Sequence, residues 1–132
     1  MDLLEDYIVV MKAAGDRTRV RILKMLQGGE ICVCQVMAVL GMSSSTVSKH
    51  LSILKMAGLV RDRRDGRWVY YCLETRRRNA YALTVLQHLN GWLEDDPEIL
   101  ADRKKLSIVS AMPVEKICAQ ASVSIPEDGE GM

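Results

Sequence analysis

Two cysteines one residue apart, Cys32-Val33-Cys34, open a short apolar stretch whose spacing predicts a helix from about Val33 to Leu40, broken by Gly41. Thiols at a helix start face unpaired backbone N–H groups and the positive end of the helix dipole. Both favour thiolate, the species that binds soft metals. The spacing lets both sulfurs hold one ion. Two small apolar cysteines can also simply pack. The first twenty residues lack the charged start and unbroken apolar run of an export signal, and no later stretch reaches the roughly 20 apolar residues of a membrane span. A cytoplasmic protein without membrane contact is expected. In a reducing cytosol the four cysteines are expected as thiols, metal ligands or redox switches rather than structural disulfides.

A second group of residues suits nucleic acid. The formal net charge is only +1, yet the charge is uneven. Between Ser43 and Arg78 the basic residues Lys49, Lys55, Arg61, Arg63, Arg64, Arg67, Arg76, Arg77 and Arg78 are opposed only by Asp62, Asp65 and Glu74. Within this basic patch, Ser44, Ser45, Thr46 and Ser48 can reach base edges or phosphates, Lys49 can neutralise a phosphate, and His50 can add a backbone contact. Arg63, Arg64 and Arg67 would reach a flanking groove. Serines also cap helices and arginines also solvate hairpins; the order in which these features occur gives them their meaning.

The elements that must position these groups are readable from periodicity. Leu3, Leu4, Tyr7, Ile8 and Met11 recur at helical spacing up to Gly15, and Asp16 is an N-cap for a second helix with Val20, Leu23 and Leu26 on one face. Arg17, Arg19, Arg21 and Lys24 are read as its solvated face, and Gly28-Gly29 as its end. Ser43 caps a fourth helix with Val47, Leu51 and Leu54 as its buried stripe, closed by Gly58. Leu59 to Arg64 and Arg67 to Leu73 alternate around Asp65-Gly66, a hairpin signal, with Val69, Tyr71 and Leu73 inward. A longer helix is expected from about Asn79 to Leu93, with more apolar surface than one core requires. Pro97 starts a C-terminal helix, and Pro113, Pro126 and the acidic end mark a tail. The expected fold is mainly α with a two-stranded β-wing, a winged helix-turn-helix of order α-α-α-α-β-β-α. Residues 1–95 would form the DNA-binding and dimerisation domain and 96–132 a C-terminal helix and tail.

Over about residues 5 to 93 this order resembles the ArsR/SmtB family of metal-responsive bacterial repressors. The stretches that carry the resemblance are Gly15 to Leu23, Ser43 to Leu54, Gly58-Leu59-Val60 and Gly66 to Tyr71. Arg17 stands where the family usually has proline, whereas Ser48, Lys49 and His50 match its recognition helix. The resemblance implies a homodimer built through the first and the long fifth helices, bound to an imperfect inverted repeat of double-stranded operator DNA. Ile31 to Val36 is similar to the arsenic-sensing motif of the ArsR branch, in which paired thiols bind As(III) or Sb(III) and release the repressor. On this reading the inducer replaces any permanent cofactor.

Many members of that branch carry a further cysteine where this chain has Met37, and a thioether does not replace a thiolate on arsenic. The third donor would be Cys118 from the tail, Cys72 from the wing, or an external thiol such as glutathione. Cys118 is preferred because a tail can move, although Cys118 also fits a docking segment Val114-Ile117-Cys118. Zinc sensors of the family use carboxylates and histidines on the fifth helix; His88 has no second histidine at the required spacing and is read as an ordinary, partly buried residue. An alternative keeps the DNA module and makes Cys32, Cys34 and Cys118 a redox or persulfide switch. A thiol oxidoreductase would need a thioredoxin-like βαβ pattern and a set of acids and bases that the chain lacks.

Overall fold

Four short polar residues in extended backbone start helices by taking up N–H groups that the first turn leaves without partners. Asp2 accepts from Leu4 and Glu5 at 3.0 and 3.3 Å, and Asp16 from Arg19 at 3.0 Å. Ser43 accepts from Thr46 at 3.3 Å, and Asp96 from Glu98 and Ile99 at 3.0 and 3.1 Å. The structure, a computed structural model, describes residues 2–124. In chain order these form α1 (Leu3–Ala14), α2 (Arg17–Leu26), β1 (Ile31–Cys32), α3 (Val33–Leu40), α4 (Ser44–Met56), β2 (Val60–Asp65), β3 (Trp68–Leu73), α5 (Ala82–Leu89), α6 (Pro97–Ser110) and α7 (Val114–Ser124).

The core joins Ile22, Leu23 and Leu26 of α2 to Val36 and Val39 of α3, and Val47, Leu51 and Leu54 of α4 to Leu59, Val60 and Tyr71 at the base of the wing. Burial of each large aliphatic side chain stabilises by about 1.5–3 kcal/mol, so α4 is held rigidly by its apolar stripe while its serine face stays outside. Gly41 ends α3 at φ 66°, donating to the Met37 carbonyl at 2.8 Å, and this left-handed residue lets the chain turn directly into α4. The wing turns through Gly66 and Arg67, because Asp65 already pairs with Trp68; Gly66 takes φ 62° at the first turn position.

Several expectations need correction. The wing has a third strand: β1 pairs antiparallel with β3, in sheet order β1-β3-β2. Two residues between a glycine pair and a helix cap carry no periodicity, so nothing in the sequence marks this strand. The second helix does not present a wholly solvated charged face. Lys24 is buried, its ammonium donating to the Leu89 carbonyl at 2.8 Å and the Trp92 carbonyl at 2.7 Å and pairing with Glu94.

The same contact shortens the expected long helix. The Leu89 carbonyl, which would accept from Leu93 in a continuing helix, accepts instead from Lys24 and, in a tighter turn, from the Trp92 N–H at 3.2 Å, and Leu93 leaves at φ 63°. At the other end Asn79 accepts from Tyr81 at 2.8 Å and donates to the Asp6 carbonyl, a local turn that competes with helix. Glu94 is bound by Arg103 as well as Lys24, and these hydrogen bonds hold its carboxyl down at about 2.

Pro113 does not begin a tail but precedes a further helix, α7, which packs along α3, as does α6. Arg21 joins α6 to α2 through a bidentate pair with the buried Asp102, at 2.8 and 2.9 Å. Pro126 and the acidic end lie outside the described residues. Among the described residues no helix is long and apolar enough to cross a membrane.

Candidate metal centre and nucleic-acid interface

Cys32 occupies the N-cap position of α3, and its N–H donates to Gln35 Oε1 at 2.9 Å. Cys34 follows in the first turn. The chain then returns through α6 and α7 to lay Cys118 against this turn, with Cα atoms of Cys34 and Cys118 5.0 Å apart. The Sγ atoms of Cys32, Cys34 and Cys118 all lie within 4.8 Å of one another, Cys32 and Cys118 buried and Cys34 half-buried. Three thiolates sharing one ion at bonds of about 2.3 Å stand about 4 Å apart or less, so a small side-chain adjustment would bring these sulfurs onto a single soft ion.

Cys34 and Cys118 are joined as a disulfide, whereas Cys32 is free. The sequence suggests thiols in a reducing compartment; the packing of α7 on α3 brings the two side chains into bonding reach. A bridged pair offers no thiolate, so ion binding requires its two-electron reduction. Cys72 stands outside the cluster, half-buried in a cleft with Glu30, Arg61 and Arg63.

Eight of the expected DNA-contacting residues lie on the polar surface of α4 and the wing. Ser44, Ser45, Thr46, Ser48 and Lys49 are exposed on α4, with the Ser45 and Thr46 hydroxyls hydrogen-bonded to the Ser43 cap at 3.2 and 3.0 Å. Arg64 and Arg67 are exposed on the wing, Arg67 lying over the Trp68 ring at 4.6 Å. Arg63 is exposed too but bound to Glu30 by two hydrogen bonds of 2.7 Å, which hold the Glu30 carboxyl below its ordinary range.

His50 differs from its neighbours. It is half-buried, and its Nδ1 meets Arg19 at 3.2 Å, while Arg19 also donates to the Ala13 and Lys12 carbonyls. His50 therefore ties α4 to α2 and the end of α1. His88 is exposed rather than partly buried and stacks on Trp92 at 5.3 Å. No local pattern marks Glu30, which meets Arg63 only because β1 and the wing share a sheet.

Among the described residues a group of large apolar side chains stays exposed. Leu3, Leu4, Tyr7, Ile8 and Met11 of α1, with Trp92 and Leu93 after α5, are all at least 38% exposed. Five of these seven share α1, a concentration beyond scattered surface residues.

Comparison with known proteins agrees with this geometry. Residues 16–62 match the model of the bacterial regulatory protein, arsR family. An uncharacterized HTH-type transcriptional regulator of Methanocaldococcus jannaschii is 43% identical over 85 residues, 63% of this chain and 96% of that protein. An arsenic resistance transcriptional regulator of Pseudomonas putida is 44% identical over 98 residues, 71% of this chain and 77% of that one. Among solved structures, the homodimeric winged helix-turn-helix DNA-binding domain of a possible ArsR-family transcriptional regulator from Mycobacterium bovis superposes with a TM-score of 0.57 at 31% identity, covering 67% of this chain and 78% of that one. With a serine-faced helix behind a tight glycine turn, a basic wing and these relatives, the chain belongs to the ArsR family of winged helix-turn-helix transcriptional regulators and is not an enzyme.

Proposed function

We propose that the chain is a metalloid-responsive repressor that binds operator DNA as a homodimer and leaves it when As(III) or Sb(III) binds Cys32, Cys34 and Cys118. The observation that carries this reading is the gathering of three sulfurs within 4.8 Å at the start of α3, the helix packed against α4. The arsenic resistance name of the Pseudomonas putida relative supports the choice of inducer. Once a cellular thiol such as glutathione has reduced the bridge, two molecules of it becoming a disulfide in turn, three thiols exchange with arsenous acid to give three As–S bonds and three water molecules. The ion draws α7 and the first turn of α3 together. The geometry of α3 against α4 then differs between free and bound protein, and this difference in affinity couples effector to DNA.

In this reading Ser44, Ser45, Thr46, Ser48 and Lys49 enter the major groove, and Arg64, Arg67 and, once free of Glu30, Arg63 reach flanking phosphates. His50 supports the helix from behind. The exposed face of α1 with Trp92 and Leu93 is the dimer surface, in keeping with the homodimeric Mycobacterium bovis domain. Residues 1–95 form the DNA-binding and dimerisation unit, and the segment from 96 onward supplies Cys118. Replacing Lys49 or Arg67 by alanine is expected to weaken binding and flatten its log–log salt dependence by about 0.9 for each lost phosphate contact. Anisotropy titrations of the chain's own promoter at several salt concentrations check this, and an unchanged slope removes the residue from the contacts.

The Cys34–Cys118 disulfide favours a second reading, in which oxidation is the signal. A peroxide would take two electrons and two protons from the thiol pair, leaving a disulfide and water, and a persulfide donor would act at the same sulfurs. Parallel titrations with arsenite and peroxide, with operator release as readout, separate the two signals.

A further inference from the structure

The wing cation best placed on its own sheet is already occupied by an anion. Arg63 and Cys32 both stand opposite Tyr70, so Cys32, Tyr70 and Arg63 form one cross-strand row through β1, β3 and β2. Glu30, two residues before Cys32, lies on the same face one row away. From there its carboxylate reaches Arg63 Nε and Nη2, both at 2.7 Å, while the guanidinium rests 4.6 Å over the Tyr70 ring. This two-point grip is the geometry in which arginine binds a phosphate. Glu30 therefore occupies both donors with which Arg63 could grip a phosphate.

We propose that Glu30 is a positioning residue for operator binding: it holds Arg63 as an internal phosphate mimic, so that DNA must displace a carboxylate before the wing gains this contact. The proposal rests on the wing being a DNA contact. The pair is about half exposed, with side-chain exposures of 53% and 34%. Such a pair shifts an equilibrium by no more than about fivefold, so Glu30 tunes affinity without blocking binding. Because Glu30 directly precedes β1 and Cys32 ends it, only Ile31 separates the proposed effector site from this latch along the backbone.

The test compares Glu30→Gln, Arg63→Ala and the double variant in anisotropy titrations of the promoter duplex and an unrelated duplex, each over a range of salt. Glu30→Gln is expected to tighten binding to both duplexes about two- to fivefold. Arg63→Ala is expected to weaken binding and lower the salt slope by about 0.9, and in its background Glu30→Gln should change affinity by less than about 1.5-fold, because the coupling is lost. Unchanged or weaker binding by Glu30→Gln overturns the proposal, as does an equal gain in the Arg63→Ala background, which would be a general charge effect. An Arg63→Ala variant with normal affinity and slope removes Arg63 from the DNA contacts and takes the proposal with it. Normal loss on Arg63→Ala with no gain on Glu30→Gln leaves the wing contact standing and overturns the latch alone.

Discussion

Arsenite added to reduced Cys32→Ser or Cys34→Ser protein is expected to leave it on its operator, under conditions in which the unaltered protein is released. Allosteric coupling of this kind is about 5- to 150-fold in affinity, and removing one thiolate of three from a soft-ion site should reduce it to less than about twofold. The variants should bind the operator as the unaltered chain does, because Cys32 and Cys34 lie on β1 and α3, behind the exposed serines of α4 and apart from Arg64 and Arg67. Serine is close in size to cysteine, so packing at the buried Cys32 is little disturbed. Normal release by either variant would remove that sulfur from the site.

Replacing Arg21 by alanine is expected to destabilise the fold strongly. The Asp102 carboxylate is 4% exposed on its side chain and receives two hydrogen bonds from Arg21, which Glu98 also approaches at 3.6 Å. These bonds raise Arg21 above its already high value, Asp102 being the main cause. Without the guanidinium a buried charge is left with no partner, a change that costs about 3–5 kcal/mol. For a chain of this size that is a fall in melting temperature of about 10–20 °C. A double change to Arg21→Met with Asp102→Leu should recover most of the loss, since an apolar pair of similar volume needs no compensation. Because this pair docks α6 on α2, a small effect of Arg21→Ala would mean that the C-terminal segment is held by other contacts.

The parts of this molecule that depend on neighbours in sequence were legible there. Asp16 and Ser43 cap the helices that follow them, Pro97 starts α6, Val47, Leu51 and Leu54 form the stripe their spacing implies, and Tyr71 faces inward as its alternation requires. What could not be read depends on residues far apart. Lys24 meets carbonyls 65 and 68 positions away, so a residue that pattern assigns to solvent becomes the cap that ends α5. Arg21 meets Asp102 across 81 positions.

The candidate site divides in the same way. The Cys32-Val33-Cys34 pair and the serines of α4 are local signals. The meeting of Cys34 with Cys118, 84 positions apart, depends on a helix after Pro113, where the prolines and the acidic end suggest a tail, and on the packing of that helix along α3. Arg63 and His50 were recognisable as polar groups near DNA, but their partners Glu30 and Arg19 lie 33 and 31 positions away. The sequence supplies the type of each side chain; its availability is decided by what the fold sets beside it.

Arsenic-edge X-ray absorption on reduced protein loaded with one equivalent of arsenite counts the sulfurs around the ion directly. Three sulfurs in the unaltered chain, falling to two in Cys118→Ser, is the result expected if the ion sits between α3 and α7. An unchanged sulfur count in Cys118→Ser, or an oxygen-dominated shell in the unaltered chain, would contradict it.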